Sequence, residues 1–404
     1  MLSPVVNLYR SAFSGLTREN WWLSITLLVN RSGTMVVPFL TLYLTEYHHF
    51  SIAQAGLVMG LFGAGAIAGG FIGGKLTDRY GFYPIQLITL SGGGVFFILL
   101  GLMKSYTLIC VFTFLLSVVN ESFRPANATA VAHYSAPENR TRSYSLNRLA
   151  INLGWAVGGG LGGFLASINY HLLFWVDGLT NLCAAVLLWR LMSRPGSRAA
   201  THKESHDEVS NSAYRDKFYL VFIFFVMLFA MCFFQLFTNL PVYYKQDLFF
   251  SERFIGFLMA LNGIIIAFVE MILVYRLEGR RSNLAYISIG VTLCSLSFLL
   301  YNFFEGGHLL ATMAMIVVTI GEILSMPFMN SFWISRSSAN NRGQYAGLYT
   351  IAWATAQVLG PILGSQIAQR FNFTILWWSV GILCVMAAFG FAYMRNMQLK
   401  VQRR

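Results

Sequence analysis

Apolar runs of about 20–25 residues recur along the whole chain, and no other feature constrains its fold as tightly. A helix of that length crosses a hydrocarbon core of roughly 30 Å. The runs are continuous and do not alternate, which argues against a transmembrane barrel. Twelve spans are predicted, at 20–46, 51–75, 83–103, 107–131, 144–168, 170–192, 218–246, 251–275, 283–304, 308–334, 343–369 and 372–394. Only 11% of the 404 residues are charged and 56% are hydrophobic, whereas soluble domains carry about 25% charged residues. The expected class is an all-α, polytopic membrane protein.

The polar segments place the spans. Met1 to Trp21 lacks a short apolar core followed by a small-residue cleavage site, so the first span is expected to act as its own insertion signal. Asn7 to Asn20 reads as an interfacial helix ahead of Trp21 and Trp22, which sit where an aromatic belt is expected. The long polar stretch, 193–217, reads as a linker between two six-helix halves. A net charge of +12 would suit nucleic acid if it formed one patch. Instead 22 of the 28 Lys and Arg fall on one side of the predicted topology, at the termini, the linker and alternate loops. That is the positive-inside pattern, so both termini and the linker are expected in the cytoplasm, with no nucleic-acid partner. The five cysteines stand singly in apolar runs, without metal-ligand or disulfide spacing. No metal or cofactor is expected.

The chain repeats itself. Arg276-Leu277-Glu278-Gly279-Arg280 follows Lys75-Leu76-Thr77-Asp78-Arg79 by 201 residues, and Glu322 follows Glu121 by the same interval. Asn341-Arg342 follows Asn139-Arg140 by 202, as does Gly360-Pro361-Ile-Leu-Gly364 after Gly158-Gly159-Gly-Leu-Gly162. A register held in four places marks a duplicated unit, its halves related by an axis along the membrane normal. The expected domains are a bundle over 1–192, a linker over 193–217 and a second bundle over 218–404.

Within this apolar frame a few charges stand out. Glu121 and Arg124 lie one helical turn apart in the fourth span, Arg31 is within the first, and Glu322 is in the tenth. A charge at the middle of a spanning helix costs about 2.5–3.5 kcal/mol even on the lenient insertion scale. Such groups are expected to face a wet cavity or each other. Poor hydration favours the neutral acid and a nearby cation favours the anion, so Glu322 and Glu121 are candidate proton-coupling residues. Each has a plain alternative, a static hydrogen bond for Glu322 and a permanent salt bridge for Glu121. Arg31, Arg124 and Asn30 are candidate substrate ligands. Asp177 reads mainly as a hydrogen-bonding partner for a neighbouring helix. Phe233, Phe234, Tyr243, Tyr244, Trp353, Trp377 and Trp378 read mostly as lipid-facing or belt residues, and His48, His49 and His171 as solvated loop residues.

Gly73-Gly74-Lys75-Leu76-Thr77-Asp78-Arg79-Tyr80-Gly81 resembles the signature loop between the second and third helices of the major facilitator superfamily. Gly154-x-x-x-Gly158-Gly159-x-x-Gly162-Gly163 resembles the fifth-helix motif of its drug:proton antiporter branch. Phe123-Arg124-Pro125-Ala-Asn127 and Gly321-Glu322-Ile-Leu-Ser-Met-Pro327 are similar to segments of the proton-dependent oligopeptide transporters, which carry Lys where Arg124 stands. The first helix has Asn30-Arg31-Ser32 in place of that group's Glu-Arg-Phe signature and looks instead like bacterial exporters.

The resemblance implies twelve helices in two pseudo-symmetric bundles, with the first, fourth, seventh and tenth lining a central cavity. It implies a conformational latch on the cytoplasmic side from Lys75, Asp78, Arg79, Gly81, Glu270, Arg276 and Arg280. Asp78 would accept from an adjacent helix N-terminus and pair with basic neighbours. Gly154, Gly158, Gly162, Gly360, Pro361 and Gly364 would be helix-packing positions. The glycine run over 154–163 is no phosphate loop, since it lies inside a span and no Lys-Ser/Thr follows it. Neither a ring of pore charges, a sensor domain nor a catalytic constellation points to a channel, receptor or enzyme. The expected function is proton-coupled export of a small amphipathic molecule, by a monomer in the bacterial inner membrane. The alternative is proton-coupled uptake of short peptides or another anionic or zwitterionic solute.

Overall fold

The computed structural model describes residues 15–135, 140–192, 212–277, 279–304, 307–337 and 342–402. Most of the predicted linker and of the interfacial helix lies outside them. Among the described residues there is no strand, and twelve helices are long and apolar enough to cross a membrane. They are α1 (Arg18–Tyr47), α2 (Ile52–Tyr80), α3 (Phe82–Leu102), α4 (Tyr106–Tyr134), α5 (Arg140–Ile168), α6 (His171–Leu191), α7 (Lys217–Gln246), α8 (Glu252–Leu277), α9 (Asn283–Phe303), α10 (His308–Arg336), α11 (Arg342–Arg370) and α12 (Phe373–Gln402).

Three of these helices are interrupted, each shortly before a proline. In α1 the helix stops at Ser32, turns through Gly33–Met35 and resumes at Val36, ahead of Pro38. In α4 it turns at Ser122, ahead of Pro125. In α7 a 3₁₀ turn covers Phe234–Phe237, ahead of Pro241. Proline has no N–H to give the carbonyl four residues back, and its ring crowds that carbonyl. The orphan carbonyls belong to Thr34, Glu121 and Phe237, which lie in or beside the three breaks. Pro327 sits inside α10 without ending it.

Packing groups the chain into two compact units, residues 1–36 with 65–201, and 37–64 with 202–404. In the first, Leu23, Leu27, Phe82, Ile85, Leu90, Phe123, Ala126 and Leu188 from α1, α3, α4 and α6 form one buried cluster. In the second, rings dominate: Tyr244, Phe298, Phe391 and Trp377 are essentially inaccessible, and Trp377 stacks on Phe298 at 5.8 Å. Of the aromatic residues expected at the lipid face, Phe233, Tyr243, Tyr244 and Trp377 are therefore core residues, while Trp378 is exposed. The rings are large enough to fill gaps between whole helices, which an apolar face alone cannot reveal. Phe71, Ile88, Phe164 and Phe389 are among the large apolar side chains that remain exposed.

Glycines permit the closest helix approaches. A Cβ at Gly154 would overlap the Cβ of Arg31, and one at Gly158 would stand 2.8 Å from the Thr34 carbonyl oxygen, so α5 lies against the α1 break. Gly162 is buried on the same helix. In the second unit a Cβ at Gly360 would approach the Met231 carbonyl to 2.9 Å, and Gly364 faces the Gln235 and Asn239 side chains. The Pro361 carbonyl oxygen would lie 2.8 Å from a Cβ at Gly56.

Candidate functional site

The candidate residues of the first unit converge on the interruption in α1. Arg31 is the second-last residue before the break. Its Nε is buried and has no hydrogen-bond partner among the described residues. Glu121, Arg124 and Asp177 lie within its electrostatic reach. Glu121 closes the first segment of α4, and its Oε2 is 3.3 Å from Arg124 Nη1. The pair is unequal, because the Glu121 side chain is 13% exposed and that of Arg124 is 73% exposed. Asn30 does not present a free amide to a cavity. It is buried, and its Nδ2 donates to Asn181 Oδ1 at 2.8 Å.

Asp177 proves more central than its sequence context suggested. It is 1% exposed on α6, and its Oδ2 accepts from the backbone amides of Met35 at 3.3 Å and Val36 at 3.1 Å. Asn181 Nδ2 donates both to its Oδ1 at 3.3 Å and to its carbonyl at 2.8 Å. Asn30, Asn181 and Asp177 thus form one buried polar line from α1 through α6 and back to α1. The readable signal was three polar residues inside apolar runs, with spacing 177 and 181 that puts two of them on one helix face.

In the second unit Glu322 is half-buried on α10, and its Oε2 accepts from Asn262 Nδ2 of α8 at 3.2 Å. The same nitrogen donates to Thr319 Oγ1 at 2.9 Å. A neutral donor on a neighbouring helix thus contacts this carboxyl group. Elsewhere in this unit Gln235 Nε2 donates to the Gly360 carbonyl at 2.8 Å, and Asn239 Nδ2 to Gln235 Oε1 at 2.6 Å, tying the α7 break to α11. Asn262, Gln235 and Asn239 were not singled out in the sequence, where each is one amide within a long apolar run.

The latch segment departs from expectation. Lys75, Asp78 and Arg79 belong to the last turns of α2, not to a loop, and only Gly81, with φ +84°, makes the turn into α3. All three side chains are exposed. Lys75 Nζ sits 4.3 Å from the Phe71 ring centroid, and the Arg79 guanidinium 5.2 Å from that of Tyr80. Asp78 makes neither the capping bond to the next helix nor an ion pair among the described residues. The continuing helix points it outward, away from the α3 amides. Glu270 is buried within α8, whereas Arg276 and Arg280 are exposed near its end. Two of the three histidines are not free in solvent: His48 Nε2 is 2.8 Å from the Tyr43 hydroxyl and His171 Nδ1 is 2.9 Å from the Gly101 carbonyl, whereas His49 is exposed.

Comparison with known proteins bears on identity. Residues 23–361 match the family model of the Major Facilitator Superfamily. An uncharacterized MFS-type transporter of Bacillus subtilis, YqjV, is 24% identical over 87% of each chain. The class B tetracycline resistance protein of Escherichia coli is 22% identical over 93% of this chain and 96% of its own. Among solved structures, a peptide transporter, POT, in complex with sulfate superposes with a TM-score of 0.78, at 16% identity over 95% of this chain and 96% of that one. Such identity speaks to the fold alone. With the family model spanning most of its length, the chain belongs to the major facilitator superfamily and is a membrane transporter.

Proposed function

We propose that the chain is a proton-coupled antiporter that exports a small amphipathic molecule by alternating access. The observation that carries this reading is the pair of mid-helix carboxyl groups in unlike settings. Glu121 is held by a cation, and Glu322 has the neutral donor Asn262 at hydrogen-bonding distance. A proton taken up at such a carboxyl group removes a charge that is costly to move through an apolar interior, which is how protonation couples to a change of access. Likeness to a tetracycline resistance protein supports this reading. The residue-level proposal is that Glu322 and Glu121 bind protons and that Arg31, Arg124 and Asn30 shape the substrate site. Lys75, Asp78, Arg79, Gly81, Glu270, Arg276 and Arg280 would serve the cytoplasmic rim. The bundles would occupy 1–192 and 218–404, joined by a linker, in a monomer of the bacterial inner membrane with both termini cytoplasmic.

A second reading is proton-coupled uptake of a peptide-like or anionic solute. It is favoured by the unpartnered Arg31 Nε and the open Arg124, since guanidinium groups bind carboxylates in bidentate fashion. Purified protein in liposomes under an imposed pH gradient separates the two. Antiport requires substrate to move against the proton flow, and symport with it. Glu322→Gln is expected to abolish gradient-driven accumulation while substrate exchange persists. Unchanged accumulation would remove Glu322 from the mechanism.

A further inference from the structure

The first unit contains a buried carboxyl group, Asp177, that the reading above does not use. It lies at the seventh position of the 21-residue α6, and one of its oxygens holds the two amides that restart α1 after its break. Val36 opens the new helical segment and its amide has no carbonyl in that helix to bond, while the Met35 amide, still in the turn, also reaches the Gly33 carbonyl at 2.6 Å. A carboxylate there answers both the unpaired N–H group and the partial positive charge of a helix start.

The second unit shows that the fold does not require this arrangement. Val380 and Cys384 of α12 stand 203 residues after Asp177 and Asn181, as Gly381 does after Gly178. Cys232 of α7 contacts α12 as Asn30 of α1 contacts α6. Its Sγ is 3.5 Å from the Val380 carbonyl, and Cys384, like Cys232, is buried. An apolar and thiol trio therefore does the packing work in one unit that a carboxylate and two amides do in the other. Polar groups at such depth are expensive and mark function by default.

We propose that Asp177 is a proton-binding site that sets the conformation of the α1 break. Ionised, it anchors the Met35 and Val36 amides and keeps Arg31 at the end of the preceding segment. Taking up one proton on Oδ1 turns an acceptor into a donor facing Asn181 Nδ2, itself a donor. Turning the Asn181 amide over gives that proton an acceptor, at the cost of the bond from Nδ2 to the Asp177 carbonyl, and sets the nitrogen against Asn30 Nδ2, which loosens the line that holds the break. The neutral acid also holds the two amides less strongly, because charge-assisted hydrogen bonds are about twice as strong as neutral ones. The charged groups around this carboxyl group are Arg31 on α1 and, beyond it, Glu121 and Arg124 on α4. From α3, Gly94 and Ile98 pack beside Gly178, and that helix contains no charged residue. On α6 the other ionisable groups are His171, Cys183 and Arg190. The proposal rests on the proton-coupled reading for its consequence in transport, but proton binding can be measured without transport.

The test is pH-difference infrared spectroscopy of the full-length protein in lipid nanodiscs. Acidification is expected to raise a protonated-carboxyl stretch that is lost in Asp177→Asn and kept in Glu322→Gln and Glu121→Gln. The same band in wild type and Asp177→Asn would overturn the assignment. Asp177→Glu covers the case in which the asparagine variant does not fold: the band must move in frequency, and an unmoved band overturns the site. Amide exchange of the 32–38 segment, corrected for intrinsic rate, should quicken on acidification in wild type. Exchange independent of pH would overturn the link to the break. Loss of the band in Asp177→Asn in a protein that shows no gradient-driven transport would leave the site standing and refute the antiport reading instead.

Discussion

The interruptions in α1 and α7 arise alike and are repaired differently. Both precede a proline, Pro38 or Pro241, and both lie against a glycine-bearing partner, α5 or α11. In α1 the repair comes from another helix and carries charge: Asp177 of α6 accepts from the amides of Met35 and Val36. In α7 it is neutral. Thr238 Oγ1 donates to the Phe234 carbonyl at 2.9 Å, and Gln235 reaches the Gly360 carbonyl. One backbone defect, copied by duplication, has thus been made sensitive to protonation in one unit and indifferent to it in the other. The defect belongs to the fold, and the chemistry belongs to the helix that answers it.

The sharpest way to break this contrast is to remove each repair. Asp177→Ala leaves the buried Val36 amide without its acceptor, and takes one of two acceptors from the Met35 amide, which keeps the Gly33 carbonyl, and from Asn181 Nδ2, which keeps the residue 177 carbonyl. At about 1–3 kcal/mol for an unsatisfied group, with two further bonds lost, a loss near 3 kcal/mol is expected in thermal unfolding followed by size-exclusion retention. Gln235→Ala removes three neutral hydrogen bonds, to the Met231 and Gly360 carbonyls and from Asn239 Nδ2, at about 1 kcal/mol each, and this loss should not change with pH. The same pH-independence in Asp177→Ala would show that the charge on α6 adds nothing.

Helix packing at the two breaks should differ less. Gly154→Leu collides with the Arg31 Cβ and backbone, which cannot swing away, and overpacking of this kind costs about 1–3 kcal/mol. Gly364→Leu meets the ends of the Gln235 and Asn239 side chains, which can turn aside. Its effect, read in the same melts, should fall at the lower end of that range.

The smallest effect lies at the helix starts, where the units again differ in charge. The α1 N-cap, Thr17, accepts from the Asn20 amide and donates to the Tyr134 carbonyl at 2.9 Å. The α7 N-cap, Asp216, accepts from Arg336 at 2.6 and 2.9 Å, from Tyr345 Oη at 2.8 Å and from the Tyr219 amide at 3.1 Å. Burial alone would push the Asp216 carboxyl group upward, but these bonds and the Arg336 charge hold it below the usual carboxylate range. A depressed value means stability fully present above about pH 4 and lost as the pH falls through the lower value of the folded state. Acid titration of Asp216→Asn against wild type should show a difference that vanishes in that window. Thr17→Ala should cost about 1 kcal/mol at every pH. A pH-dependent Thr17 effect, or a pH-independent one at Asp216, would contradict the assignment.

Much of this was legible in the chain. Run length located all twelve helices, and the 201–202 residue register exposed the duplication, because crossing a bilayer imposes a length and a polarity that no neighbour can alter. Glu121 with Arg124 was visible too, and so were the glycines that let α5 and α11 approach, but the breaks ahead of Pro38, Pro125 and Pro241 were not read from the chain. Other features were not. Lys75, Asp78 and Arg79 read as a loop because their polarity resembles one, yet α2 runs on through them to Gly81. Trp377 and Tyr244 read as lipid-facing because an aromatic ring inside an apolar run suits lipid and core equally well.

Length and hydropathy are properties of the chain taken one segment at a time, so they determined the helices and their number, while short motifs carried the resemblance to the family. Which buried polar group answers which broken helix depends on side chains more than 140 residues apart, such as Asp177 and Val36. Folding alone brings them together, and the role of Asp177 was decided there, since a lone carboxylate in an apolar run does not declare its partner.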